Sequence, residues 1–223
     1  MSRLRAAFIL ALLAALTFEA AAHAAPAKEL AEVRRIEQTF LPVDTHAVRL
    51  DASFGSVVVR GEPRADIAVE IVLSCPAGRD QQVCRQRAAR LLLEARNRPK
   101  HLALRLKRTP RARIHGIRSI MTVTMPENEA VEIDVRSGNV EISGMQSHLE
   151  VDVGTGDTTI FYPQSRVQIV KLDVAFGHAN LWLTDGSNIR GTGWPKSLTW
   201  RSQGVSHVEV DAGKGVIAVR LMD

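Results

Sequence analysis

Apolar and polar residues alternate along much of this chain, and the alternation recurs as one motif. Three alternating apolar positions, two free positions, a glycine and two further alternating apolar positions make a twelve-residue unit. It occurs at Val48, Leu50, Ala52, Gly55, Val57 and Val59, and again at Val131, Ile133, Val135, Gly138, Val140 and Ile142. A third copy is Leu149, Val151, Val153, Gly156, Thr158 and Ile160; a fourth is Val170, Leu172, Val174, Gly177, Ala179 and Leu181. Val208, Val210, Ala212, Gly215, Ile217 and Val219 form the fifth, and a degenerate copy surrounds Gly204. The third and fifth copies are nearly the same in detail, SHLEVD at 147–152 and SHVEVD at 206–211.

A period of two is the signature of a strand with one face buried and one wet. Each glycine then stands where the chain turns between two strands, a place that often needs a positive φ or no Cβ. Glycines 138, 156 and 177 are 18 and 21 residues apart, and 177 to 215 is 38, about two such steps. Steps near 20 residues suit stacked coils that bury their apolar faces only against their neighbours. The fold class expected is therefore all-β, a solenoid-like stack of short strands with glycine turns plus one docked helix. Antiparallel hairpins closed by x-Gly loops, with Val135 facing Val140, would show the same periodicity and build an antiparallel sandwich instead.

Between the first two copies lies an excursion of about 65 residues. Ile67–Ser74, His101–Lys107 and Ser119–Met125 alternate as strands do, and Arg108–Arg118 reads as a basic loop. Residues 81–96 place Cys84, Ala88, Leu91, Leu92 and Ala95 on one helical face, with Asp80 as N-cap and Pro99 beyond the end. The pattern predicts one amphipathic helix there, docked on the sheet.

The first residues read differently. A cationic start at Arg3 and Arg5, an apolar run from Ala6 to Phe18 and the small-x-small triplet Ala22–Ala24 make a secretory signal peptide over residues 1–24. Residues 25–223 would then form one β-repeat domain with a helix-containing insertion at about 75–118. No later stretch offers the ~18 apolar residues of a spanning helix. Export excludes cytosolic enzymes, and two cysteines are too few for a disulfide-dense miniprotein. It places the protein in the periplasm or at the cell surface.

The run MTVTMPENEAVEIDVRSGNVEISG at 121–144 resembles the β-strand-repeat proteins catalogued as adhesins of the bacterial envelope. In that group a Val/Ile strand ending in proline leads into repeats of the Ser-Gly-Asp/Asn-Val kind. IEQTF at 36–40, DASFGSVVV at 51–59 and DAGKGVIAV at 211–219 are similar to it too, so the resemblance spans most of residues 33–221. Its motifs are structural and none is catalytic. It implies a solenoid-like β fold, an exported location and an adhesin-like role; the helix and cysteine insertion departs from the plain repeat.

Charge is unevenly placed. Residues 79–118 hold thirteen Lys/Arg against Asp80 and Glu94, a net of +11, whereas residues 119–223 hold eight against thirteen acids, a net of −5. Arg105, Lys107, Arg108, Arg111, Arg113 and Arg118 fall together with no acid among them. Arginine's planar fork suits phosphate and carboxylate groups, so these six are candidate anion-binding residues. Outside the cytoplasm the anionic partners are lipopolysaccharide, phospholipid headgroups and acidic glycans rather than nucleic acid, and no aromatics interleave the block to stack on bases. The competing reading is a solvated loop whose charges pair with the acidic repeat faces.

Other residues carry weaker chemistry. Cys75 and Cys84, close in sequence and in an oxidising compartment, read as a disulfide. His148, Glu150 and Asp152, like His207, Glu209 and Asp211, alternate outward on strands; same-face neighbours ~7 Å apart suit solvent better than one metal ion. Gly154–Asp157 lies between strands and reads as a turn rather than a phosphate loop. Trp182, Trp194 and Trp200 would cover the open end of the stack. No catalytic, cofactor or metal signature is present. The expected function is thus an exported, non-enzymatic envelope protein that binds an anionic polymer or a partner protein. A scaffold in envelope-stress signalling and a glycan-active enzyme on a β-solenoid are the alternatives.

Overall fold

A computed structural model describes residues 30–41, 45–77, 81–98, 100–109 and 115–223. The signal-peptide reading of residues 1–24, the Asp80 cap, Pro99, and Arg111 and Arg113 of the basic loop lie outside the described residues. Among the described residues the chain is all-β with one short α-helix. In order come β1 (Leu30–Phe40), β2 (Thr45–Ala52), β3 (Ser56–Glu62), β4 (Ile67–Pro76) and the helix α1 (Gln81–Ala88). Then follow β5 (Leu91–Arg98), β6 (Lys100–Arg108), β7 (Arg118–Pro126), β8 (Ala130–Ser137) and β9 (Val140–Ser143). The last six are β10 (Leu149–Thr155), β11 (Thr158–Pro163), β12 (Val167–Trp182), β13 (Asn188–Arg190), β14 (Lys196–Arg201) and β15 (Ser206–Met222).

All fifteen strands join one sheet. The five sequence copies are β2–β3, β8–β9, β10–β11, β12 and β15, and they pair with one another in parallel. Pairing keeps the sequence register: Leu50, Ile133, Val151, Val210 and Leu172 stand side by side, all buried. After the glycine, Val57, Val140, Thr158, Ile217 and Ala179 do the same. Both rows belong to one core, and each fully buried Val, Leu or Ile in it contributes about 1.5–3 kcal/mol.

Parallel pairing corrects the hairpin alternative. Strands flanking a glycine do not bond to each other, and Val135 and Val140 are not cross-strand partners. The glycine N–H groups instead donate to the next copy: Gly55 to Ser137 O, Gly138 to Thr155 O and Gly156 to Lys214 O, each at 2.9 Å. The five glycines form a column at one corner. At Gly156 (φ +146°) a Cβ would overlap the Gly138 carbonyl, and at Gly138 (φ +155°) it would overlap that of Gly55. Only glycine lets the copies approach this closely. The turn at Gly154–Asp157 belongs to this corner: Asn139 Oδ1 accepts the Asp157 N–H at 3.0 Å, and Asp157 Oδ1 accepts the Val216 N–H at 2.9 Å.

The order of copies in space is not their order in sequence. The fifth copy, β15, lies between the third and the fourth, pairing with β10–β11 on one side and β12 on the other. After β12 the chain lays β13 and β14 antiparallel on that strand, then returns to fill the gap. At the other end β6–β5 extend the first halves of the copies, and β7–β4–β1 extend the second halves.

The excursion keeps its three strands, β4, β6 and β7, each slightly longer than the pattern predicts. Its helix is shorter. The expected helix over 81–96 ends at Ala88, and Leu91–Arg98 pairs antiparallel with β6 instead. Cys84, Ala88 and Leu91 are buried as expected, but Leu92 is 47% exposed. Leu, Glu, Ala and Arg are good helix formers, but intrinsic preference is a small energy per residue and pairing with β6 overrides it. Arg34 of β1 marks the break, donating to the carbonyls of Ala88 (3.0 Å), Ala89 (3.0 Å) and Leu91 (2.7 Å) that a longer helix would have used itself. Cys75 at the end of β4 and Cys84 in α1 are bonded, with Cα atoms 6.1 Å apart.

Candidate anion-binding site

The outer face of β5, β6 and β2 is a grid built by strand periodicity. Arg98, His101 and Ala47 form one row; Arg96, Ala103 and Arg49 the next; Glu94, Arg105 and Asp51 the third. The small Ala103 at the centre leaves a depression of about 340 Å³, lined by Arg49, Arg96, Arg98, His101 and Arg105 together with Asp51 and Glu94. Three of the four arginines make ion pairs: Arg49 Nη1 with Glu132 Oε1 at 2.8 Å, Arg96 Nη2 with Glu94 Oε1 at 2.9 Å, and Arg105 Nε with Asp51 Oδ2 at 3.1 Å. Arg98 makes none among the described residues. Arg96, with Lys107 beyond it, holds the Glu94 carboxyl below the usual carboxylate range. These pairs are half-exposed and individually weak, so a multivalent anion competes with them easily.

Of the six arginines and lysines singled out by sequence, four are described. Arg105 lies in the grid, Lys107 Nζ sits 3.4 Å from Glu94 Oε1, and Arg108 is exposed at the end of β6. Arg118 begins β7, which pairs with β3 and β4 rather than with β6. The structure adds Arg49, Arg96, Arg98 and His101. The helical reading over 81–96 hides Arg96, and only a strand sets Arg96 and Arg98 on one face.

Beyond Arg49 the same outer face turns acidic. Glu132, Glu150 and Glu209 are side-by-side neighbours, ended by Arg49 and by Lys171, whose Nζ is 2.6 Å from Glu209 Oε1. Asp51, Asp134, Asp152, Asp211 and Asp173 form a second such row. Burial, followed by repulsion from Glu132, Glu209 and Asp152, pushes the Glu150 carboxyl above the ordinary carboxylate range. Burial likewise raises Asp211, with Lys171 opposing and the neighbouring acids adding. Raised on folding, these groups destabilise the fold when ionised, above the folded pKa, and that penalty vanishes below the ordinary carboxylate pKa. Glu150→Gln is therefore expected to stabilise the protein at neutral pH by about 0.2–1 kcal/mol, the usual size of a like-charge cross-strand pair. Melting curves of both proteins at neutral pH should differ in that sense and should coincide near pH ~3, where both side chains are neutral.

The histidines are neighbours in adjacent copies rather than isolated. The His148 and His207 rings meet edge to face at 5.2 Å, His207 N–H donates to His148 Nδ1 at 3.0 Å, and His207 Nε2 lies 2.8 Å from Gln168 Oε1. Among the described residues no group of three or more His, Cys, Asp or Glu side chains is placed to hold a metal ion. Trp200 packs half-buried on the core, Arg220 lies 5.2 Å over the Trp182 ring, and Trp194 is 74% exposed.

No family model and no curated protein matches this chain. Solved structures do. A candidate cell-adhesion protein from Clostridium sporogenes is similar over 85% of this chain and 99% of its own, at 14% identity and a TM-score of 0.49. A candidate adhesin from Bacteroides fragilis is similar over 88% and 99%, at 11% identity and a TM-score of 0.31. One from Parabacteroides merdae covers 83% and 81%, at 11% identity and a TM-score of 0.25. The structural neighbours are bacterial candidate adhesins. The Cys75–Cys84 bond fits an oxidising, extracytoplasmic setting. Among the described residues no helix is long and apolar enough to cross a membrane.

Proposed function

We propose that this is an exported, adhesin-like binding protein of the cell envelope, not an enzyme, and that it engages an anionic polymer such as lipopolysaccharide or an acidic glycan. In this reading cleavage after Ala24 leaves residues 25–223 as one domain in the periplasm or at the cell surface. The five copies form a solenoid-like stack, a rigid body that presents its edge. The observation that carries the proposal is the grid on β5, β6 and β2, where four guanidinium groups converge on one depression. Their planar forks match phosphate, sulfate and carboxylate groups.

Binding of the purified protein to immobilised lipopolysaccharide and to heparin tests the reading. Affinity should fall steeply between low and high salt, because attraction between exposed charges is screened over ~8 Å at physiological ionic strength. Changing Arg96, Arg98 and Arg105 together to Ser should weaken binding about tenfold or more while the melting temperature stays nearly constant. If the triple variant binds like the parent but melts much lower, the arginines serve the fold and the proposal fails.

A further inference from the structure

Strand β5 ends the sheet. Among the described residues it pairs with β6 alone, so one side of its backbone meets no strand. Such an edge is a template for a further strand, and proteins guard it with bulges, prolines or charges. The opposite edge is guarded in this way, for β1 carries a register shift between Glu32 and Arg34. β5 instead runs in unbroken register with β6 from Leu91 to Arg98, and its residues from Ala95 onward are exposed. Its charges are of both signs: Glu94 and Arg96 stand on the outer face, one on each side of Ala95. Charge repels only a partner of the same sign, so this pair selects what the edge accepts.

We infer that β5 pairs antiparallel with β5 of a second copy of this chain, about a twofold axis through Ala95. Opposite residues of an antiparallel pair share a face. This register sets Glu94 against the second copy's Arg96, and Arg96 against its Glu94, so both positions carry opposite charges. Leu92, 47% exposed, meets the aliphatic stem of the second copy's Arg98. A twofold interface must be complementary to itself, and the strand is so in this register. Moving the axis by one residue sets Glu94 against Glu94, or Arg96 against Arg96. The axis stands perpendicular to the sheet, so the two outer faces become continuous. Glu94, Arg96 and Arg98 line the arginine depression from β5, so pairing joins two depressions into one basic surface. Three strand spacings of about 4.8 Å put them about 14 Å apart. The joined surface deepens the anion-binding reading and rests on it, whereas the pairing rests on β5 alone.

Analytical ultracentrifugation of the purified protein over rising concentration, in physiological salt, tests the pairing. A monomer–dimer equilibrium is expected. Glu94→Arg and Arg96→Glu should each weaken the dimer about tenfold or more, since each sets like charges opposite one another, and should leave the melt nearly unchanged. An equimolar mixture of these two variants should regain the dimer, because the two cations of one then face the two anions of the other. Arg35→Glu, on the guarded edge, should leave the dimer intact. The pairing is overturned by a parent that stays monomeric at about 1 mM, by a dimer indifferent to both reversals, or by a mixture that does not recover. A dimer lost in Arg35→Glu overturns it too and places the contact on β1. A heparin oligosaccharide longer than the gap between the depressions should tighten the dimer severalfold. Heparin that binds without tightening it overturns the joined surface and keeps the pairing. Heparin that does not bind overturns the anion-binding reading, and with it the joined surface, but not the pairing.

Discussion

Gly156→Ala is expected to cost about 3–5 kcal/mol, strain at a positive φ and overpacking together, and to leave little folded protein at 37 °C. The residue stands in the middle of the corner column, at φ +146°, with the Gly138 carbonyl where a Cβ would have to go. Neither neighbour can yield, because Gly138 and Gly215 are held by the same close approach on either side. Gly186 supplies the control. It too has a positive φ, +82°, but nothing lies within 4 Å of its would-be Cβ. Gly186→Ala should therefore cost only about 1 kcal/mol, the backbone term alone. Urea unfolding of the two variants separates the contributions. Equal losses would mean that the column is held by backbone conformation and not by contact between copies.

Breaking the Cys75–Cys84 bond should cost roughly 2.5–3 kcal/mol, the chain-entropy value for a loop of about ten residues. The bond closes a sequence separation of nine and ties α1 to the end of β4. Both cysteines are buried, so the double change of Cys75 and Cys84 to Ala is the suitable variant. The same loss should follow when the parent is unfolded in the presence of dithiothreitol, and mass spectrometry of a non-reduced digest should show the linked peptide. A double variant as stable as the parent would assign the docking of α1 to the Arg34 bonds and apolar packing alone.

How the sequence reading fared depends on the range of the interaction concerned. The copies, their glycines and their inward residues were legible because a period of two and a turn glycine are local requirements. Every glycine of the repeat stands at the corner, and every apolar position of the pattern is buried. Thr158, counted with them, is buried too, with its hydroxyl unpartnered among the described residues. The Cys75–Cys84 pair was legible for the same reason, since nine residues leave few ways to place two thiols. The helix expected over 91–96 gives way to a strand because Leu, Glu, Ala and Arg favour helix locally, whereas the partner that decides the element, β6, bonds to them only in the folded chain.

Sequence alone thus determined an all-β chain of five equivalent copies, the residues each buries, and a basic segment followed by acidic faces. Which copies touch was decided by tertiary structure. Equivalent copies offer one another the same backbone bonds and the same apolar rows, so local pattern cannot say that the fifth copy sits between the third and the fourth. The near identity of SHLEVD and SHVEVD was the one hint, and those segments do lie side by side. The same holds for the arginine grid. Arg49 is far in the chain from Arg96 and Arg105, and only the register of three strands brings their guanidinium groups around one depression. Charge along a sequence records how many such groups there are, whereas their convergence depends on hydrogen bonds between strands that the chain forms only on folding.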